Sequence, residues 1–178
     1  MGDEDPEEDG MRVALMALLL LVSALIQSLT PAVACLASAK APFLLAVTIH
    51  YALTSSRRMV VAAAILGGLI QDSLSLLPIG YSALWFAAAG LAIHHTREFL
   101  FRESPFTVAA LGAVGAALGT LAMYGMLRLG TDVAPAPLWW LGLKMGGDAL
   151  LGLVAAPLVW VLAGGIERHV GVGHEERM

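Results

Sequence analysis

"GGLIQDSLSLLPIG", residues 67–80, holds the reading that decides the fold. A glycine pair and an apolar run lead into Gln71 and Asp72, and a Pro-Ile-Gly turn follows at once. The surrounding chain is 58% hydrophobic and 13% charged, with a mean hydropathy of +0.80. A soluble domain carries about 25% charged residues, so half the usual solvating surface is missing. Apolar runs of about 20 residues, the length that crosses a bilayer as a helix, recur along the chain. The stretch therefore belongs to a membrane helix. A charge at the bilayer centre costs about 2.5–3.5 kcal/mol on insertion scales, so Gln71 and Asp72 must face the interior of a helix bundle. Proline fixes its own φ and glycine permits a tight reversal, so the turn sends the chain straight back as a helical hairpin.

Outward from this hairpin, the pattern predicts an all-α polytopic membrane protein of six transmembrane helices. The spans fall near 13–34, 43–54, 59–77, 81–94, 106–127 and 138–164. The second is short for a 30 Å core; it either begins before Pro42 or sits where protein surrounds it. "AAAILGG" at 62–68 and "ALGAVGAALG" at 110–119 are rich in the small residues that let helices approach closely in lipid. They mark spans three and five as central. Residues 12–168 form the membrane domain, 1–11 an acidic tail read as disordered, and 169–178 a short second tail.

Charge sets the orientation. Arg12, Arg57, Arg58, Arg97, Arg102, Arg168 and Arg177 fall on the side of the N-terminus, against Lys40 and Arg128 on the other. That bias predicts both termini in the cytoplasm. Six of the fourteen acidic residues crowd into "GDEDPEEDG". Basic residues form no stripe, so nucleic acid is not an expected partner. Cys35 is the single cysteine and rules out an internal disulfide. "AVAC" at 32–35 resembles a cleavage site, but a signal peptide begins with a basic segment, and this one is acidic; an uncleaved first span is the expectation.

Within the spans, Asp72, Lys144, Asp148 and His50 come out about 9–15 Å from the outer surface at 1.5 Å per residue. Lys144 and Asp148 stand four apart and can pair along their own helix, and Lys144 could equally reach Asp72. The expectation is one polar cluster, Asp72–Lys144–Asp148 with His50 and Gln71 beside it, tying helices 2, 3 and 6 together. Such a cluster serves either as polar glue or as a proton relay or substrate pocket. No nucleophile elbow and no phosphate-cradling loop is present. The adjacent His94 and His95 diverge by about 100° on a helix and make a poor metal fork. No catalytic residue, metal site or cofactor is expected, and an enzyme is not.

The block "APFLLAVTIHYALTSSRRMVVAAAILGGLIQDSLSLLPIGYSAL", residues 41–84, resembles the MreD family of rod shape-determining proteins. The likeness is carried by Pro42, Tyr51, Arg57 and Arg58, the Gly68-Leu69-Ile70-Gln71-Asp72 segment, and the turn Pro78-Ile79-Gly80. The final span, with Pro157 before Arg168, is similar to the family's ending. His50, Lys144 with Asp148, and the acidic tail depart from it. The resemblance implies a non-catalytic scaffold of the bacterial inner membrane, in the elongasome that regulates cell shape. Its partners there would be membrane lipid, an MreC-like single-span protein and, through it, RodA, a class B penicillin-binding transpeptidase and MreB, all serving peptidoglycan synthesis. The alternative is a substrate-binding component of an ECF-type vitamin transporter, whose six-helix fold is thought to be related. In that reading His50, Asp72, Lys144 and Asp148 would line a vitamin pocket.

Overall fold

The computed structural model describes residues 6–32, 34–75, 79–99, 104–130 and 137–170. Six α-helices follow one another: α1 (Pro6–Leu29), α2 (Phe43–Thr54), α3 (Arg57–Ser75), α4 (Tyr81–Thr96), α5 (Pro105–Gly130) and α6 (Leu138–Val170), with a short 3₁₀ turn at Ala34–Leu36. Proline opens α1 and α5, where its missing N–H costs nothing and its φ suits a first turn. Ahead of α5 and α6 the carbonyls of Ser104 and Pro137 accept the first amides. α1 begins within the acidic segment read as a tail, and α6 runs on to Val170. The remainder of both tails lies outside the described residues.

Among the described residues four helices are long and apolar enough to cross a membrane: α1 from Gly10, α3, α5 to Arg128 and α6 to Arg168. Leu18, Leu21 and Leu25 on α1 and Leu150, Val154, Leu158 and Val161 on α6 stand exposed. In a multi-pass membrane protein these side chains meet lipid.

The centre of the bundle is α2. Leu44 to Leu53 are buried without a break, and the helix packs against each of the other five. This corrects the expectation that the third and fifth helices are central. Small residues mark where two backbones touch, whereas α2 carries Thr48, His50 and Tyr51 among its apolar residues and buries all of them, as a helix enclosed by protein on every side can. Its entry explains its length. Ala37 (φ 52°) and Ser38 (φ 60°) are left-handed, a conformation that costs a non-glycine residue about 1 kcal/mol or more. They turn the chain inward, and Ala39 and Ala41 lie buried before the helix starts at Phe43.

Around α2 four of the other helices form two tight pairs, α3 with α4 and α5 with α6. Gly68 of α3 lies against the backbone of α4 at Ala83, and Gly112 of α5 against that of α6 at Gly152, so closely that no Cβ fits at either contact. Gly119, also in the α5 stripe, faces the indole of Trp85 on α4.

Candidate functional site

The opening stretch resolves into one structural device. Asp72 is 1% exposed. Its Oδ2 accepts the Gly80 amide at 2.6 Å and its Oδ1 the Ser82 amide at 2.9 Å. The first amides of a helix have no partner within it, and negative charge is favoured at that end of the helix dipole. Asp72 thus caps α4 from a neighbouring helix. Gly80 (φ 104°) makes the reversal, a backbone shape that side-chain-bearing residues avoid. Gly68, one turn before Asp72, lets α4 come close enough to be capped. Pro78 lies outside the described residues. Pro42 stands at the N-cap of α2 and its carbonyl accepts the Ala46 amide at 3.0 Å.

The five expected polar residues do not form one cluster. Lys144 pairs along α6 with Asp148, Nζ to Oδ2 3.5 Å. Thr120 of α5 donates to the same oxygen at 2.6 Å, which ties α5 to α6. Gln71 joins a different chain: Gln27 of α1 donates to its Oε1 at 2.6 Å and Gln71 donates to Ser75 at 2.9 Å. Gln27 also accepts the Leu44 amide at 3.4 Å, holding the start of α2. Asp72 serves the turn amides rather than Lys144.

His50 belongs to the opposite end of the bundle. Its Nε2 lies 3.1 Å from Glu167 Oε1 near the C-terminus of α6, and the ring of Tyr51 meets it edge-on with centroids 5.4 Å apart. At the same end Arg97 donates to the Ser55 carbonyl at 2.8 Å. The depth estimate failed for His50 because it assumed that α2 starts at the membrane surface. The buried coil before Phe43 displaces the whole helix towards the far side.

Three partners were missed in the sequence. Gln27 and Thr120 sit inside apolar or small-residue runs, where one polar residue was a legible signal. Glu167 was read only as part of a charged helix end, and nothing local linked it to His50.

Between the coil that bears Lys40, α4, α5 and α6 lies a cavity of about 420 Å³, within the range of small-molecule sites. Leu45, Trp85, Phe86, Met123 and Trp140 form much of its wall, and Lys40, Gln71, Lys144 and Asp148 supply polar groups. It thus gathers three of the expected polar residues, without His50 and Asp72. Among the described residues no group of three or more His, Cys, Asp or Glu could hold a metal.

No curated protein and no solved structure matches the chain. The family model of the rod shape-determining protein MreD matches residues 10–135, from the start of the first membrane helix to the segment before α6. That match includes α2, the Asp72 cap and the α3–α4 hairpin. With well over half its length so matched, the chain belongs to the MreD family of rod shape-determining membrane proteins.

Proposed function

We propose that this protein is a non-catalytic scaffold of the bacterial inner membrane that binds an MreC-like single-span protein. Through that partner it helps couple MreB filaments to peptidoglycan synthesis by RodA and its class B penicillin-binding transpeptidase. Family membership is the observation that carries the reading. Its physical support is a body built for rigidity: buried α2 as a hub, two backbone-close helix pairs, and carboxylates engaged in joining helices. Such a body presents fixed lipid-facing surfaces to a partner helix.

In this reading all six helices span. α2 (12 residues) and α4 (16 residues) are shorter than a bilayer requires, and the buried coil ahead of α2 supplies part of its path. Arg57, Arg97 and Arg168 stand at helix ends on the Glu167 side. By the charge rule that side, with both termini, is cytoplasmic and the cavity lies towards the periplasm. Membership of a shape-determination family weighs against the vitamin-transporter alternative.

The test is affinity purification of the tagged protein from a rod-shaped host in mild detergent, with identification of co-purifying membrane proteins. Recovery of a single-span periplasmic coiled-coil protein is expected. Its consistent absence, together with tight stoichiometric binding of one compound from a vitamin panel, would overturn the scaffold reading.

A further inference from the structure

We propose that the cavity binds an acidic amphiphile, a molecule carrying one carboxylate or phosphate on an apolar body. The hydrogen-bonding balance of the wall carries the inference. Several of its side-chain acceptors are engaged: Gln27 Oε1 by the Leu44 amide, Gln71 Oε1 by Gln27, and one oxygen of Asp148, Oδ2, by Thr120 and Lys144. Its donors are in surplus. The Ser82 hydroxyl and the Trp85 indole N–H are buried without a partner among the described residues. Ser82 is 0% exposed, and such groups normally find a partner when buried. Lys40, from the coil, brings a second ammonium to the same cavity. Two lysines thus line the cavity beside one carboxylate, of which one oxygen is already shared between Lys144 and Thr120.

A wall of this kind is completed by a group that only accepts. Carboxylates and phosphates do so, and their bonds to ammonium groups are about twice as strong as those between neutral groups. The apolar body follows from the rest of the lining, where Leu45, Trp85, Phe86 and Trp140 offer surface without further acceptors. A free organic acid and an acidic lipid headgroup share this chemistry.

The protein, purified whole in a neutral detergent, is titrated with decanoate and with dioctanoyl phosphatidate. Decanol and dioctanoyl phosphatidylcholine are the matched controls. The readout is intrinsic tryptophan fluorescence, since Trp85 and Trp140 line the cavity. Saturable quenching is expected with at least one acid, at concentrations about tenfold or more below its control. Saturation by decanoate alone assigns a free acid, and by phosphatidate alone a lipid headgroup. Lys144→Gln and, separately, Lys40→Gln should each weaken binding about tenfold, the effect of removing one charge-assisted hydrogen bond. Lys144→Arg should keep it. Lys40 is itself exposed, between the buried Ala39 and Ala41, so its variant remains informative if Lys144→Gln does not fold. The proposal is overturned if acids and controls act equally, if neither acid gives a saturable change, or if both glutamine variants bind like the parent.

Discussion

Asp72 and Asp148 are both carboxylates buried in a membrane bundle, each on a helix that crosses it, and they do different things. Asp72 commits one oxygen to each of two backbone amides at the start of α4. Asp148 shares a single oxygen between a threonine hydroxyl and a partly exposed lysine on the wall of a cavity. Backbone amides cannot move without unwinding the helix, so Asp72 is bound into the fold. Side-chain partners can rotate, so the Asp148 region can rearrange around something that enters. An intramembrane carboxylate is therefore classified by what it bonds to, backbone or side chain, rather than by its depth.

Substitutions can break or sharpen this contrast. The largest effect is expected for Asp72→Ala, which leaves the buried Ser82 amide and the partly buried Gly80 amide without their acceptor. At about 1–3 kcal/mol for the buried Ser82 amide and about 1 kcal/mol for the Gly80 amide, which water can reach, it should destabilise the protein by about 2–4 kcal/mol. Thermal unfolding in detergent checks this, and a loss below that of any Asp148 variant would reverse the assignment. Second comes Glu167→Ala, which strands the buried His50 imidazole at the other end of the bundle. A cost of about 1–3 kcal/mol in the same assay is expected, and a neutral result would mean that α2 and α6 are held there by packing alone.

Lys144→Met should cost at most about 1 kcal/mol, because its pairing with Asp148 is partly exposed and spans a single helical turn. The smallest quantity is the coupling between Asp72→Asn and Lys144→Met. The two residues share no hydrogen-bond or ion-pair partner among the described residues, so the double variant should equal the sum of the singles within about 0.5 kcal/mol. A larger coupling would restore the single Asp72–Lys144–Asp148 cluster that depth alone suggests.

Much of the fold was legible in the residues. Span two was placed at 43–54, and α2 is Phe43–Thr54; spans four and six were placed to start at 81 and 138, as α4 and α6 do. Proline and glycine set these limits locally, and hydropathy is a sum over neighbours, so neither needs tertiary knowledge. The block 41–84 carried the resemblance to the family whose model matches residues 10–135. The candidate site was legible as a set of residues and not as an arrangement. Gln71, Lys144 and Asp148 reach one cavity, whereas His50 meets Glu167, a residue 117 positions away.

By itself, then, the sequence determined that this protein lives in a membrane, where α2, α4 and α6 begin and which family it joins. Only the tertiary structure decided that the shortest helix is the hub and that the buried carboxylates divide into a cap and a cavity wall. The reason is geometric. Periodicity and turn residues act within a few positions of the chain, but the rotation and depth of a helix depend on every neighbour it touches. Here two left-handed residues, Ala37 and Ser38, lead into the buried coil that sets the depth of α2, and with it the partner of His50.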